Sequence, residues 1–291
     1  MKMSLARRTV AEFLGTGFLV AAVVGSGIMG ERLAGGNIAI ALLANTLATG
    51  AVLVVLILTF GPISGAHFNP VVSLADAWEG GISCMETSLY VLAQISGGIG
   101  GAIVAHMMFE LPIVSLSQHA RSGPAQWFSE FIATFGLLSV IWGCSRTRVS
   151  IVPFAVGAYI TAAYWFTAST SFANPAVTIA RCLSDTFAGI RPIDVPWFVV
   201  AQFAGGFAAT IVFRWLVPNL RVRAKDVLVA HDSEPTRPVV PSASAQDCWL
   251  LKKGETTTIE FIAQTHGTYP FRCCHKCGLG HSGMKGELIV E

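Results

Sequence analysis

Gly65-Ala-His-Phe-Asn69-Pro70-Val71-Val-Ser-Leu-Ala75 and Thr170-Ser-Phe-Ala-Asn174-Pro175-Ala176-Val-Thr-Ile-Ala180 are two versions of one segment, set 105 residues apart from Asn69 to Asn174. Asn is a favoured helix N-cap, because its side chain accepts from the free backbone N–H groups of the first turn. Pro is favoured directly after it, where the missing N–H costs nothing. Each Asn-Pro therefore starts a helix. Roughly ten residues of helical patterning follow, too few to cross hydrocarbon that takes about 20 residues of helix. A lone Asn-Pro is only a turn, but two copies at equivalent places in apolar sequence point to a pair of re-entrant half-helices. Non-helical backbone at membrane depth is tolerated only where it lines a water-filled cavity, so the loops leading into Asn69 and Asn174 are expected to line a pore. There two half-helix N-termini, each carrying about +0.5 charge, would meet near the midplane and repel cations. The Asn amides would hold a neutral hydroxylated solute.

The rest of the chain fits a body embedded in lipid. Of 291 residues, 53% are hydrophobic and 12% charged, against about 25% charged in a soluble domain. Residues 37–60 and 84–109 contain no Lys or Arg and a single acid, Glu86. Six stretches are long and apolar enough to span: 9–29, 37–60, 84–109, 126–144, 151–168 and 195–217. The first is read as a retained span, because no convincing small-residue cleavage site follows it. The formal net charge of +2 and the lack of a basic run interleaved with aromatics exclude nucleic acid. Nothing resembles a catalytic constellation, so no enzyme is expected.

Two further pairs of segments extend the repeat. Ala11-Glu12-Phe-Leu-Gly-Thr16 matches Ser129-Glu130-Phe-Ile-Ala-Thr134, and Ala93-Gln94 ahead of glycines matches Ala201-Gln202 ahead of Gly205-Gly206. With three spans per half, the second half must insert upside down relative to the first, a usual way of placing a site at the bilayer midplane. Lys2, Arg7, Arg8, Arg146, Arg148, Arg214, Arg221, Arg223 and Lys225 flank the spans on the N-terminal side, and Arg32, Arg121, Arg181 and Arg191 flank them opposite. This bias puts both termini in the cytoplasm of a multi-pass protein of the inner membrane.

The paired Asn-Pro motifs, the Glu-x-x-Gly/Ala-Thr opening of both halves, and the Ala-Gln before glycines in the third and sixth spans resemble the aquaporin and glycerol-facilitator family over residues 1–222. The resemblance implies an all-α membrane fold of six transmembrane helices plus two re-entrant half-helices, assembled as a homotetramer of independent pores that need no cofactor. Two positions depart from the family pattern. Val71 stands where the first motif usually has Ala. Val177 stands where members place an Arg directly after the second Asn-Pro-Ala.

That Arg normally forms the narrow outer filter with an aromatic from the second span and a residue from the fifth. Losing a unit charge at about 4 Å, at an effective dielectric near 20, removes roughly 4 kcal/mol of cation barrier. Counting along the spans puts Thr49 and Ala162 at the other filter positions, with Ser171 presenting a backbone carbonyl. Thr49, Ala162, Ser171 and Val177 together describe a wide, uncharged filter. The expected solutes are neutral and polyhydroxylated. Undissociated arsenite is preferred, because the Val177 variant of the motif looks like that of a bacterial subgroup associated with arsenic resistance, and glycerol with water is the alternative. Arg181 is expected to cap or pair at the interface, with replacement of the missing charge as the minor reading.

Glu12 and Glu130 lie inside spans, where an ionisable group is costly and usually functional. The resemblance implies that each accepts hydrogen bonds from the irregular half-helix loops. A proton relay, which would make the protein a coupled transporter, is the competing reading. His67 either lines the cytoplasmic vestibule or packs.

Residues 223–245 read as a linker carrying Pro235, Pro238 and Pro241. Residues 246–291 read as a small β-rich tail, with strands at 256–262 and 286–290. Between them Cys273, Cys277, His281 and Met284 resemble the ligand loop of a partial cupredoxin, a soft donor set suited to copper or another thiophilic metal or metalloid. A metal-free remnant is the alternative. Cys84, Cys144 and Cys182, scattered in apolar sequence, read as inert packing residues.

Overall fold

The computed structural model describes residues 3–147, 149–216, 267–272 and 285–290. The chain divides into two units, Met1–Asp232 and Ser233–Glu291.

In the first unit, helix α1 (Leu5–Leu33) starts at Ser4, whose Oγ accepts from the Arg7 N–H. α2 (Ile38–Ser64) starts at Asn37, whose Oδ1 accepts from Ala39 and Ile40. The half-helix α3 (Pro70–Glu79) follows and stops at Gly80, in the left-handed region at φ 84°. α4 (Cys84–Met108) opens with a reciprocal Ser83–Glu86 capping box. α5 (Pro124–Thr147), α6 (Val152–Phe166), the second half-helix α7 (Pro175–Arg181) and α8 (Val195–Leu216) repeat the order. Six of these helices, all but α3 and α7, are long and apolar enough to cross a membrane once the 3-10 turns leading into α6 and α8 are included. Large apolar side chains such as Phe18, Val55, Phe154 and Trp197 are exposed on the outside of the unit. In water such a surface would be untenable, and in lipid it is the expected one.

The two halves also pack alike. A Cβ at Gly97 would collide with the carbonyl of Phe13, and a Cβ at Gly205 would collide with that of Phe131. The glycines after Gln94 and Gln202 therefore let α4 lie against α1, and α8 against α5, at backbone contact. This is how helices associate where no hydrophobic drive separates them from lipid. Val71, the departure in the first motif, meets a third glycine: a Cβ at Gly206 would overlap its Cγ1. The extra bulk of Val71 is thus housed by a missing side chain on α8.

In the second unit, β1 (Gly267–Arg272) pairs antiparallel with β2 (Lys285–Val290), with Pro270 opposite Glu287. The strand expected at 286–290 is present. The Tyr269-Pro-Phe-Arg segment, read from sequence as leading into the ligand loop, is itself strand, which Pro tolerates at a sheet edge. The strand expected at 256–262 and the linker 223–245 lie outside the described residues, as do Cys273, Cys277, His281 and Met284.

Candidate functional site

Both half-helices begin as their motifs dictate. Asn69 Oδ1 accepts from the Val71 N–H, and Asn174 Oδ1 accepts from the N–H groups of Ala176 and Val177. The two amides also cross over. Asn69 Nδ2 donates to the Ala173 carbonyl, and Asn174 Nδ2 donates to the Phe68 carbonyl, both at 2.7 Å. Each motif is therefore tied to the loop that delivers the other, and the two half-helix starts are held face to face.

Those loops carry unusual backbone. Ala66 and Phe68 in one, and Ser171 and Ala173 in the other, have φ of 49–51°, a region costing a non-glycine residue about 1–3 kcal/mol unless the surroundings impose it. Two buried carboxylates impose it. Glu12 accepts from Ser64 Oγ (2.6 Å), His67 N (3.0 Å), Phe68 N (2.7 Å) and Gln94 Nε2 (2.8 Å). Glu130 accepts from Phe172 N (2.9 Å), Ala173 N (2.8 Å) and Gln202 Nε2 (2.6 Å). Each glutamine also donates to the half-helix, Gln94 to Ser73 and Gln202 to Thr178. Two loop N–H groups and one glutamine recur in each half, with the Ser64 hydroxyl added at Glu12, so the Glu and Gln of the sequence repeat work together.

A cavity runs past these loops. Its walls are stripes with helical spacing: Thr49, Leu53 and Ile57 on α2, Val152, Val156, Ile160 and Tyr164 on α6, and Asn174, Val177 and Arg181 along α7. Steps of three or four residues return to the same face of a helix. This corrects the sequence reading of the fifth span. Ala162 is exposed on the outside of α6 and does not line the cavity. Two residues from Ile160 or from Tyr164 is about 200° around the helix, and the loop before Asn174 upset the count. Tyr164 lines the cavity there, with its hydroxyl 3.3 Å from Thr49 Oγ1. The four-residue period of Val152, Val156, Ile160 and Tyr164 was the signal that could have found it.

The second correction concerns charge. Arg181 lies on the same stripe as Val177, is 1% exposed, and lines the cavity, so the opposite end of the pore is not uncharged. Its Nε donates to the Ala188 carbonyl, and its guanidinium carbon lies 3.4 Å from the centre of the Phe172 ring. Arg121 approaches the same ring at 5.0 Å. It donates to the carbonyls of Gly189 and Ser169, and burial draws its guanidinium down to about 10, which leaves it charged at neutral pH. In the sequence Arg121 was only a flanking charge. Ser171, Val177 and Thr49 line the cavity as expected, and so does His67. The His67 ring bonds Ser73 Oγ at 3.0 Å and meets Tyr90 edge-on at 5.4 Å, so it both lines and packs. Among the described residues no cluster of His, Cys, Asp and Glu could hold a metal ion.

The chain is similar in sequence and fold to known proteins. A family model described as Major intrinsic protein matches residues 1–171 and 145–261. The aquaglyceroporin AqpS of Rhizobium meliloti is 54% identical over 220 residues, covering 76% of this chain and 94% of its own. The aquaporin NIP3-1 of Arabidopsis thaliana is 29% identical over 281 residues, covering 92% of this chain and 83% of its own. The X-ray structure of the aquaglyceroporin from Plasmodium falciparum superposes with a TM-score of 0.60 at 21% identity, covering 75% of this chain and all of that one. At that identity the likeness is one of fold.

Proposed function

The chain belongs to the major intrinsic protein family of membrane channels, and from that premise we propose that it passes small neutral polyhydroxylated solutes passively. Glycerol and undissociated arsenite are the substrates of that class. The observation that carries this reading is the cavity wall itself, where the hydroxyls of Thr49 and Tyr164 line the same passage as Val177, with Arg181 one helical turn further along α7. A solute rich in hydroxyl groups can trade its water for these groups, and a bare ion cannot. Glycerol draws support from the name of the Rhizobium relative, an aquaglyceroporin. Arsenite draws support from Val177 and from presenting three hydroxyls much as glycerol does.

The arrangement of Glu12 and Glu130 argues against a proton-coupled transporter. Their oxygens are occupied by donors from the loops and from Gln94 and Gln202, so protonation would undo the pore wall. The reading extends to a homotetramer in the inner membrane with both termini cytoplasmic, supported by the family and by the charge bias of the connections. For the tail, the spacing of Cys273, Cys277, His281 and Met284 supports a soft-metal or metalloid site, to be tested by the metal content of the purified full-length protein.

Proteoliposome flux of glycerol, urea and arsenite tests the solute reading, with Val177→Arg as the perturbation. We expect the variant to lose most flux of these solutes while keeping some water flux. Glycerol and arsenite fluxes unchanged by Val177→Arg would show that solutes are selected elsewhere.

A further inference from the structure

We infer that Arg181 is the cation barrier of this pore and a hydrogen-bond donor to the passing solute, one helical turn along α7 from the valine at position 177. The inference rests on the channel reading above and assigns a residue which that reading leaves unexplained.

Three observations carry it. Asn174, Val177 and Arg181 recur at helical spacing along α7 and line the same cavity, so a solute that leaves the Asn pair passes Val177 and then Arg181. Arg181 is almost wholly buried, yet its Nη1 has no hydrogen-bond partner among the described residues. The hydroxyl of Ser171, which lines the same cavity, is likewise without one. A buried donor with no protein partner is costly, and here both unpartnered groups border the path of a solute whose hydroxyls could satisfy them. Finally, Arg181 makes no salt bridge among the described residues; Ala188 and the face of Phe172 hold it instead. A carboxylate partner would have cancelled its field. Carbonyl and aromatic partners fix the guanidinium without a direct ion pair, and Glu130 and Tyr164 act on its charge only through space.

A merely structural reading would have Arg181 pin the chain at Ala188. That contact uses Nε alone, and a neutral donor could make it. The pinning role does not account for Nη1, which has no hydrogen-bond partner among the described residues.

The test uses the full-length chain in proteoliposomes, reading sodium influx and glycerol flux on the same vesicles. A unit charge acting across about 6 Å at an effective dielectric of about 20 changes an ion's Boltzmann factor roughly a hundredfold. R181Q should therefore raise sodium permeability by about that factor and pass glycerol at a reduced but measurable rate, because a donor to the solute is lost, and R181K should stay tight to sodium. R181H provides a check within one folded sample, should R181Q assemble poorly. Its sodium leak should rise between about pH 5.5 and about pH 8, as the imidazole loses its charge. R181Q that passes glycerol but remains as tight to sodium as the native channel would overturn the inference. So would an R181H leak that is equal at both pH values. Native vesicles that pass no glycerol would instead overturn the channel reading on which the inference stands.

Discussion

Glu12→Gln swaps one carboxylate oxygen for an amide N–H₂ at a site where four donors converge, from Ser64, His67, Phe68 and Gln94. Whichever way the amide turns, its nitrogen faces two of them. The Ser64 hydroxyl can reorient, but the backbone N–H groups cannot, so at least one hydrogen bond to a charged acceptor is lost and a donor is set against a donor. At about 1.5–3 kcal/mol for each hydrogen bond to a charged group, one or two losses amount to roughly 2–6 kcal/mol. The same bonds hold Ala66 and Phe68 at positive φ, and their relaxation would withdraw the Phe68 carbonyl from Asn174. Thermal unfolding of the purified channel in detergent should therefore shift down, and glycerol flux from vesicles should fall, in proportion to folded protein and beyond it. The variant should gain no dependence on a proton gradient. Native melting together with native flux would refute the reasoning, because the carboxylate would then not be holding the loop.

Gly206→Ala should destabilise the protein by about 1–3 kcal/mol through overpacking against Val71, read as a lower melting temperature, and Val71→Ala in the same chain should restore it. Tyr164→Ala should open the cavity and increase flux of solutes larger than glycerol, whereas Ala162→Leu, on the exposed face of α6, should leave flux unchanged. Cys84 is exposed at the start of α4, on the N-terminal side. In a variant keeping only that cysteine, a membrane-impermeant maleimide should label it from the cytoplasmic face of inverted membranes and not from the outside of intact cells.

The parts of the site legible in the sequence were those written as local chemistry. Asn followed by Pro favours a helix start, and its occurrence twice within a longer repeat in apolar sequence is enough to place two half-helices. Glu12 and Gln94 could be seen as repeated residues. Their joint hold on the loop could not, because it depends on α1 and α4 touching, and that contact is decided by the absence of a side chain at Gly97. The fifth-span position was misplaced because a fixed count was carried across a loop whose length is free, while the rotation of α6 was already encoded in its own stripe from Val152 to Tyr164. Arg181 reads first as an interface cap, yet it follows Val177 by one turn, and on a helix one turn keeps a residue on the same face. The tail's ligand pattern lies outside the described residues, so the structure adds only the pairing of strands 267–272 and 285–290 around it.

The central claim is that a neutral solute moves down its own gradient past Asn69 and Asn174, driven by nothing else. Stopped-flow swelling of proteoliposomes in an inward glycerol gradient, with and without an imposed proton gradient, tests it most directly. The account predicts rapid swelling at a rate set by the glycerol gradient and indifferent to the proton gradient. Accumulation of glycerol against its own gradient when the proton gradient is imposed would contradict it.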